Sequence, residues 1–296
     1  MPSTAPATAP AAEITIREAT PDDAEALGRI FYDAFESIAS RHAFPTEPPS
    51  REFTGWRMQW MLHHPGFHGV AAERDGRVVG SNFVDERSAI AGIGPLTVEP
   101  AAQDTGAGRA LMEGILEREQ ARGAAGARLV QTAYHYRSLA LYAKLGFVVR
   151  EPLSVLQGPP LGLAFPGCHV RPAERSDIEA ADALARRVHG HDRRAELRDA
   201  IDDGTAAVVE RDDRTTGYAT GFGYAWHAVA ETNDDLCALL GAADGFMGLG
   251  ILVPSRNAEL LRWCLDHGLR IVQQSTLMTL GLYNEPAGAW LPSILF

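Results

Sequence analysis

Leu96-Thr97-Val98-Glu99-Pro100-Ala101-Ala102-Gln103-Asp104-Thr105-Gly106-Ala107-Gly108-Arg109-Ala110-Leu111-Met112 is the stretch whose reading decides the fold. A β-rich apolar run breaks at Pro100, turns through a glycine-containing loop and enters a helix. Leu111, Met112, Ile115 and Leu116 recur at helical spacing beyond it. The first N–H groups of such a helix have no partner within it, and the positive end of its dipole lies among them. That combination binds phosphate. Gly106 and Gly108 lack the Cβ atoms that would hold a ligand away from the backbone. Gln103 offers a side-chain amide and Arg109 a cation. The run has neither the Gly-Lys-Ser/Thr ending of a P-loop nor the G-x-G-x-x-G spacing of a dinucleotide fold.

A second element follows. Arg137-Ser138-Leu139-Ala140-Leu141-Tyr142-Ala143-Lys144-Leu145-Gly146-Phe147 reads as a short helix ended by Gly146, with an apolar strand after it. The Gln-x-x-Gly-x-Gly loop and this A-x-x-L-Y-x-x-x-G-F-like element, in this order, resemble the GNAT acyl-CoA N-acyltransferase superfamily. The resemblance covers Ile14 to about Gln157.

Composition agrees with a globular protein long enough for two domains: 296 residues, 46% hydrophobic and 22% charged. No apolar run reaches membrane-spanning length. Residues 1–12, rich in Ala, Pro, Ser and Thr, read as a disordered tail without the features of a secretory signal. Cys168, Cys237 and Cys264 form no C-x-x-C pair, which points to a cytoplasmic location and no metal site. A net charge of −11 argues against nucleic acid as a partner and suits a cationic amine.

The chain contains an internal repeat. Ile16-Arg17-Glu18-Ala19-Thr20-Pro21-Asp22-Asp23 matches Val170-Arg171-Pro172-Ala173-Glu174-Arg175-Ser176-Asp177, each a short strand followed by an acidic helix start. The hairpins around Glu73–Gly80 and Glu210–Gly217 correspond, as do Leu141–Phe147 and Trp263–Leu269. The second copy is shorter between its hairpin and last helix, where a phosphate loop should lie. It has Thr232 or Asn233 as a helix cap, followed by Asp234 and Asp235, whose charge would repel a diphosphate. The second copy is therefore expected not to bind the cofactor, but to pack, shape the substrate cleft or hold an oligomer.

The expected fold is α+β (α/β): two tandem GNAT-like domains, each a mixed, mostly antiparallel sheet flanked by helices. The boundaries are 13–157 for the cofactor-binding domain and 166–296 for the degenerate one, with a Gly- and Pro-rich linker between. Within the first copy we read strands near 13–17, 68–74, 77–86, 90–98, 127–133 and 147–157. The helices fall near 21–40, 50–63, 106–123 and 137–145. The segment 276–296 reads as closing strands of the second copy. Phe53, Trp56, Trp60 and Met61 lie at helical spacing and fit core positions in an aromatic, His-rich stretch from His42 to His68.

The resemblance implies two parallel strands that splay to admit the pantetheine arm of acetyl-CoA, the cosubstrate. It implies acetyl transfer to a primary amine of a small molecule or peptide, by direct attack in a ternary complex. Leu96, Thr97 and Val98 would pair with the cofactor arm, with an oxyanion contact near Val98. Gln103, Asp104, Thr105, Gly106, Ala107, Gly108, Arg109 and Ala110 would hold the diphosphate. Tyr142 would protonate the leaving thiolate. Asp85 or Glu86, at a strand end, could take the amine proton, and a mechanism without a base stays open. Glu99 lies beside the loop and would repel the diphosphate. The family often carries Asn just before the last helix. This chain has His135 and Tyr136, so Tyr136 and Ser138 are the expected cofactor contacts there. A non-catalytic CoA-binding or scaffolding role is the alternative. The assembly is expected to be a monomer, internally a pseudo-dimer of domains, or a homodimer.

Overall fold

The computed structural model describes residues 13–295; the expected tail, 1–12, lies outside the described residues. The first half opens with β1 (Ile14–Glu18), α1 (Ala24–Arg41) and α2 (Arg51–His63). The hairpin β2 (Phe67–Arg74) and β3 (Arg77–Asp85) leads into β4 (Ile90–Ile93) and β5 (Thr97–Val98). Then come α3 (Ala107–Arg122), β6 (Gly126–Thr132), α4 (Tyr136–Lys144) and β7 (Val148–Gln157). The second half repeats the plan with β8 (His169–Pro172), α5 (Ile178–His189), α6 (Arg194–Asp202), β9 (Ala207–Arg211) and β10 (Arg214–Ala219). It closes with β11 (Ala228–Ala230), α7 (Asn233–Ala242), β12 (Ile251–Pro254), α8 (Ala258–Asp266), β13 (Arg270–Gly281) and β14 (Ala289–Leu291).

The repeat extends to matched ion pairs. The Arg17 guanidinium holds both oxygens of Asp23 at 2.7 Å and reaches Glu73 at 2.7 Å. Arg171 holds Asp177 at 2.7 and 2.8 Å and Glu210 at 2.5 Å. Each aspartate also accepts from a backbone N–H at the turn, Thr20 at 2.8 Å and Glu174 at 2.7 Å. In both copies the same bidentate pair ties the first strand to the first helix and to the hairpin.

Among the described residues the strands form a nine-stranded sheet, β1-β2-β3-β4-β6-β13-β7-β12 with β5 on β3, and a five-stranded sheet, β14-β11-β10-β9-β8. Pairing is mostly antiparallel, with β4 and β6 parallel. The closing segment departs from expectation. β14 stays with the second copy, on β11, but β13 crosses into the first copy's sheet and lies between β6 and β7. Reciprocally, β7 lies between β13 and β12. The cause is connectivity. β7 runs directly into the linker, so the first copy has no later strand to pair with β6, and β13 supplies those backbone partners. Leu153, Val155, Leu252 and Leu277 pack into one buried cluster across the exchange, so the halves share a core.

Two smaller departures have local reasons. The run 90–98 is not one strand: it breaks between β4 and β5 at Gly94-Pro95, where proline has no N–H to donate to a ladder. On α2, Met58 and Met61 are buried, but Phe53 and Trp56 face outward, with Trp56 58% exposed. The helix is covered on one side only.

Candidate active site

β4 and β6 pair only at Ile90↔Gly126, Ala91↔Ala127 and Gly92↔Arg128, and then part. Past Gly94 the chain continues as β5 against β3, with Ser81↔Thr97 and Gly80↔Val98 opposed. β6 meanwhile stays on β13 as far as Thr132. A wedge therefore opens between β5 and the end of β6. Glu99 N–H donates to Val79 O at 2.8 Å. Since an antiparallel ladder alternates, Thr97 bonds toward Ser81, and the N–H and C=O of Val98 turn the other way, into the wedge.

The loop at the wide end of the wedge is held open by its own bonds. Thr105 Oγ1 donates to Ala102 O at 2.7 Å, and Gln103 Nε2 donates to Val98 O at 3.3 Å. Gly106 has φ +94° and forms the N-terminal boundary of α3. The first return bond of the helix runs from Ala110 N–H to Gly106 O, at 3.0 Å. The N–H groups of residues 103–109 donate to no acceptor among the described residues. A Cβ built on Gly106 meets nothing within 4 Å, so this face is open. A Cβ on Gly108 would sit 3.7 Å from Val98 and 3.8 Å from Leu141, which puts the first turn of α3 between β5 and α4. Ala107 is buried and Ala110 half-buried beneath the loop.

The charges around the loop are paired. Arg137, on α4, reaches Asp104 and, at 3.4 Å, Gln103 Oε1. Arg109 pairs with Glu113 at 3.5 Å, and Glu99 with Arg77 at 2.7 Å. Glu99 is thus neutralised beside the loop rather than left to repel an anion.

Tyr142 packs into the first-half core with its ring 6.1 Å from Phe147. Burial pushes its phenol well above the ordinary range, so it stays protonated at neutral pH. Its hydroxyl has no hydrogen-bond partner among the described residues. Ser138 is committed to the turn before α4, donating to His135 O at 2.9 Å and accepting from Gln131 Nε2 at 3.1 Å. Tyr136 is 71% exposed, and burial lowers the His135 pKa to about 4.

Asp85 and Glu86 stand elsewhere. Asp85 lies opposite Gly92, at the closed end of the wedge. Arg87 clamps it at 2.5 and 2.9 Å and also reaches Asp199 on α6 at 2.5 Å, tying the halves together. Arg118 binds Glu86 at 2.5 and 3.1 Å. Against the effect of burial, Arg118 and Arg122 hold that carboxyl below the usual range.

A third carboxylate escaped the sequence reading. Glu47 sits in the loop between α1 and α2, and its Oε1 accepts from Thr132 Oγ1 at 2.9 Å. Thr132 is the last residue of β6, opposite Ser275 of β13, and so stands on the β6 side of the wedge. Burial raises the Glu47 carboxyl above its ordinary range, opposed by hydrogen bonds from Gln273, Thr132 and Tyr224. A lone acid in Pro45-Thr46-Glu47-Pro48-Pro49 carries no periodicity that could have singled it out.

The equivalent helix start in the second copy is filled by its own side chains. Thr232 caps α7 by accepting from Asp235 N–H at 3.2 Å. The buried Asp235 accepts from Thr232 and Thr216 at 2.6 and 2.9 Å and pairs with Arg211 at 3.1 Å. Asn257, at the position matching His135, caps α8 by accepting from Leu260 N–H at 3.2 Å. Among the described residues no group of histidines, cysteines and carboxylates could hold a metal, and no helix is long and apolar enough to cross a membrane.

Two copies of a mixed sheet, one with a parted strand pair and an open helix-start turn, make a tandem GNAT-like fold. Residues 25–147 match the acetyltransferase (GNAT) family model. The whole chain is similar in fold to a Pyrococcus horikoshii protein assigned as an acetyltransferase: TM-score 0.73, 21% identity, 93% of this chain and 94% of that one covered. It is also similar to a GCN5-related N-acetyltransferase from Sphaerobacter thermophilus: TM-score 0.62, 16% identity, 92% and 96% covered. A tandem GNAT protein from the clavulanic acid biosynthesis pathway has TM-score 0.58 and 14% identity over 95% and 100% of the two chains. At these identities the likeness is one of fold. No curated protein matches the chain.

Proposed function

We propose that residues 13–157 form an acetyl-CoA-binding GNAT domain that transfers acetyl to a primary amine of a small molecule or peptide. The degenerate copy, residues 166–296, does not bind acetyl-CoA. The observation that carries this reading is the run of unengaged N–H groups from Gln103 to Arg109 at the wide end of the wedge. Seven unengaged amides in the turn leading into a helix start offer a cradle for a diphosphate. Thr232 capping that copy's helix start, with the buried Asp235 carboxylate beside it, supports leaving the second copy empty.

The chemistry follows from the groups lining the wedge. The pantetheine arm adds as a strand beside β5, where the Val98 N–H is turned toward it and can hold the thioester oxygen as it becomes negative. The amine nitrogen must approach to about 3–3.5 Å of the carbonyl carbon. Its attack forms the C–N bond and breaks the C–S bond. Tyr142, kept protonated by burial, donates to the departing sulfur.

The non-catalytic alternative rests on Asp85 and Glu86 both being held by arginines. A thiol-release assay with acetyl-CoA and an amine panel, run beside Tyr142→Phe, separates the two. Amine-dependent release that falls in the variant supports transfer. Tight acetyl-CoA binding with no release for any amine supports the alternative.

A further inference from the structure

Glu47 Oε1 collects donors from both halves of the chain. Besides Thr132, it accepts from Gln273 Nε2 on β13 at 2.8 Å and from the Tyr224 hydroxyl at 3.5 Å. No described residue donates to its other oxygen, Oε2. Gln273 is 3% exposed, and its own Oε1 has no donor among the described residues. A hydrogen-bonded carboxylate–amide pair thus holds two acceptor oxygens without a donor among the described residues. A brace between the halves would use Glu47 Oε1 and leave this second pair unexplained, since buried polar atoms are rarely left unsatisfied.

Gln273 also borders a cleft of about 220 Å³ walled by Phe44, Tyr134, Ile271 and Val272. The Phe44 and Tyr134 rings stack at 4.3 Å, 10° from parallel. Three of these side chains are apolar, and the fourth is the aromatic Tyr134. Such a wall suits a flat or apolar group and offers a polycation no second carboxylate.

We propose that the acceptor site is composite: a primary amine on an aromatic or apolar body docks with its ammonium on Glu47 Oε2 and Gln273 Oε1 and its body in the Phe44–Tyr134 cleft, and Glu47 takes the first proton. This inference rests on the acetyl transfer proposed above. The proton balance closes. The ammonium gives one proton to the Glu47 carboxylate, and the neutral nitrogen attacks the thioester carbon. The C–S bond breaks as the Tyr142 proton moves to sulfur, and the second nitrogen proton restores the phenol. Glu47 then releases its proton to water. The products are an N-acetyl amide, CoA thiol and one proton. β13 therefore completes the site from the second half.

The titratable groups facing Glu47 are Tyr134, on the turn before α4, and Tyr224, on the loop before β11. Burial keeps both protonated through neutral pH. His42 flanks Tyr134 at 5.3 Å, and His135 stands at the start of α4 with Arg41 and Arg137 near it. Glu47 must be ionised to accept a proton, so it contributes an acid limb to the rate that Glu47→Gln removes.

The test uses the full chain with 2-phenylethylamine and spermidine as acceptors. The wild-type protein is expected to favour 2-phenylethylamine at least tenfold in kcat/KM, with kcat/KM rising with pH along an acid limb. Glu47→Gln is expected to lower kcat/KM at least a hundredfold and abolish that limb, with acetyl-CoA Kd within twofold of wild type. Gln273→Met and Tyr134→Ala are expected to raise KM for the amine more than they lower kcat. If Glu47→Gln does not fold, those two decide the matter. An active wild type whose variants keep the amine KM and the acid limb, or which prefers spermidine, overturns the composite site and leaves acetyl transfer standing. A wild type that binds no acetyl-CoA overturns the earlier reading as well.

Discussion

Gly106 and Gly123 bracket α3, and comparing them isolates what the loop does for binding. Gly106 has φ +94° and Gly123 φ +74°, and a Cβ at either meets nothing within 4 Å. Valine at either position therefore creates no clash, but it forces a β-branched residue into a backbone region it rarely adopts, at about 1–3 kcal/mol. For a chain of this size that lowers Tm by several degrees, roughly 2–4 °C per kcal/mol. The two variants should lose similar stability. Only Gly106→Val places its side chain on the open face of the unengaged amides. Losing one or two hydrogen bonds to a charged phosphate costs about 1.5–3 kcal/mol each. Since about 1.4 kcal/mol is tenfold, acetyl-CoA Kd should rise at least tenfold for one bond lost, and up to about ten-thousandfold if two are lost at the upper figure. Isothermal titration calorimetry at one fixed salt concentration, with Tm measured in parallel, reads both quantities. Gly106→Val binding acetyl-CoA as tightly as Gly123→Val would refute the assignment of the loop.

The remaining predictions concern charge, chemistry and assembly. Tyr142→Phe should lower kcat about a hundredfold or more while leaving acetyl-CoA Kd unchanged, as steady-state kinetics and calorimetry can establish. Asp104→Asn keeps a residue type that tolerates the local φ of +66° and releases Arg137 toward the diphosphate; it should tighten acetyl-CoA binding by less than tenfold at low salt, with the gain fading as salt is added. His227 is buried beside Glu196, and burial followed by Arg193 lowers its pKa from 6.5 to about 4. The unfolded chain then binds the extra proton below about pH 6.5, so stability present above that pH is lost as pH falls toward 4, at up to about 1.4 kcal/mol per pH unit. Denaturant unfolding at pH 7.5 and 5 should show that loss, and His227→Gln should reduce it, the rest coming from His135 and His191, which burial also lowers to about 4. A chain ending at Gln157 removes β13 from between β6 and β7 and should not form a stable monomer, which size-exclusion chromatography with circular dichroism will reveal.

Local signals account for what the sequence made readable. The loop and α3 were readable because proline, glycines and helical spacing all act within a few residues. The repeat was readable because Arg17, Asp23 and Glu73 serve the same ion-pair role as Arg171, Asp177 and Glu210, so the residue types recur together. The exchange of β7 and β13 was not readable. Both strands have apolar patterns that suit either copy's sheet, and the choice is made by which backbone edge remains unpaired. Asp85 and Glu86 illustrate the same limit at the site. A carboxylate at a strand end looks available in sequence, and only the fold brings Arg87, Arg118 and Arg122 onto it. Glu47 is the converse, since its donors lie at residues 132, 224 and 273 and no local pattern joins them.

A crystal structure of the full chain with coenzyme A tests the central claim most directly. The account predicts one diphosphate per chain, its oxygens within hydrogen-bond distance of the N–H groups of residues 103–109, with the pantetheine arm between β5 and β6. A diphosphate at the start of α7 near Asp235, or saturating coenzyme A that leaves the 103–109 amides without a ligand, would contradict it.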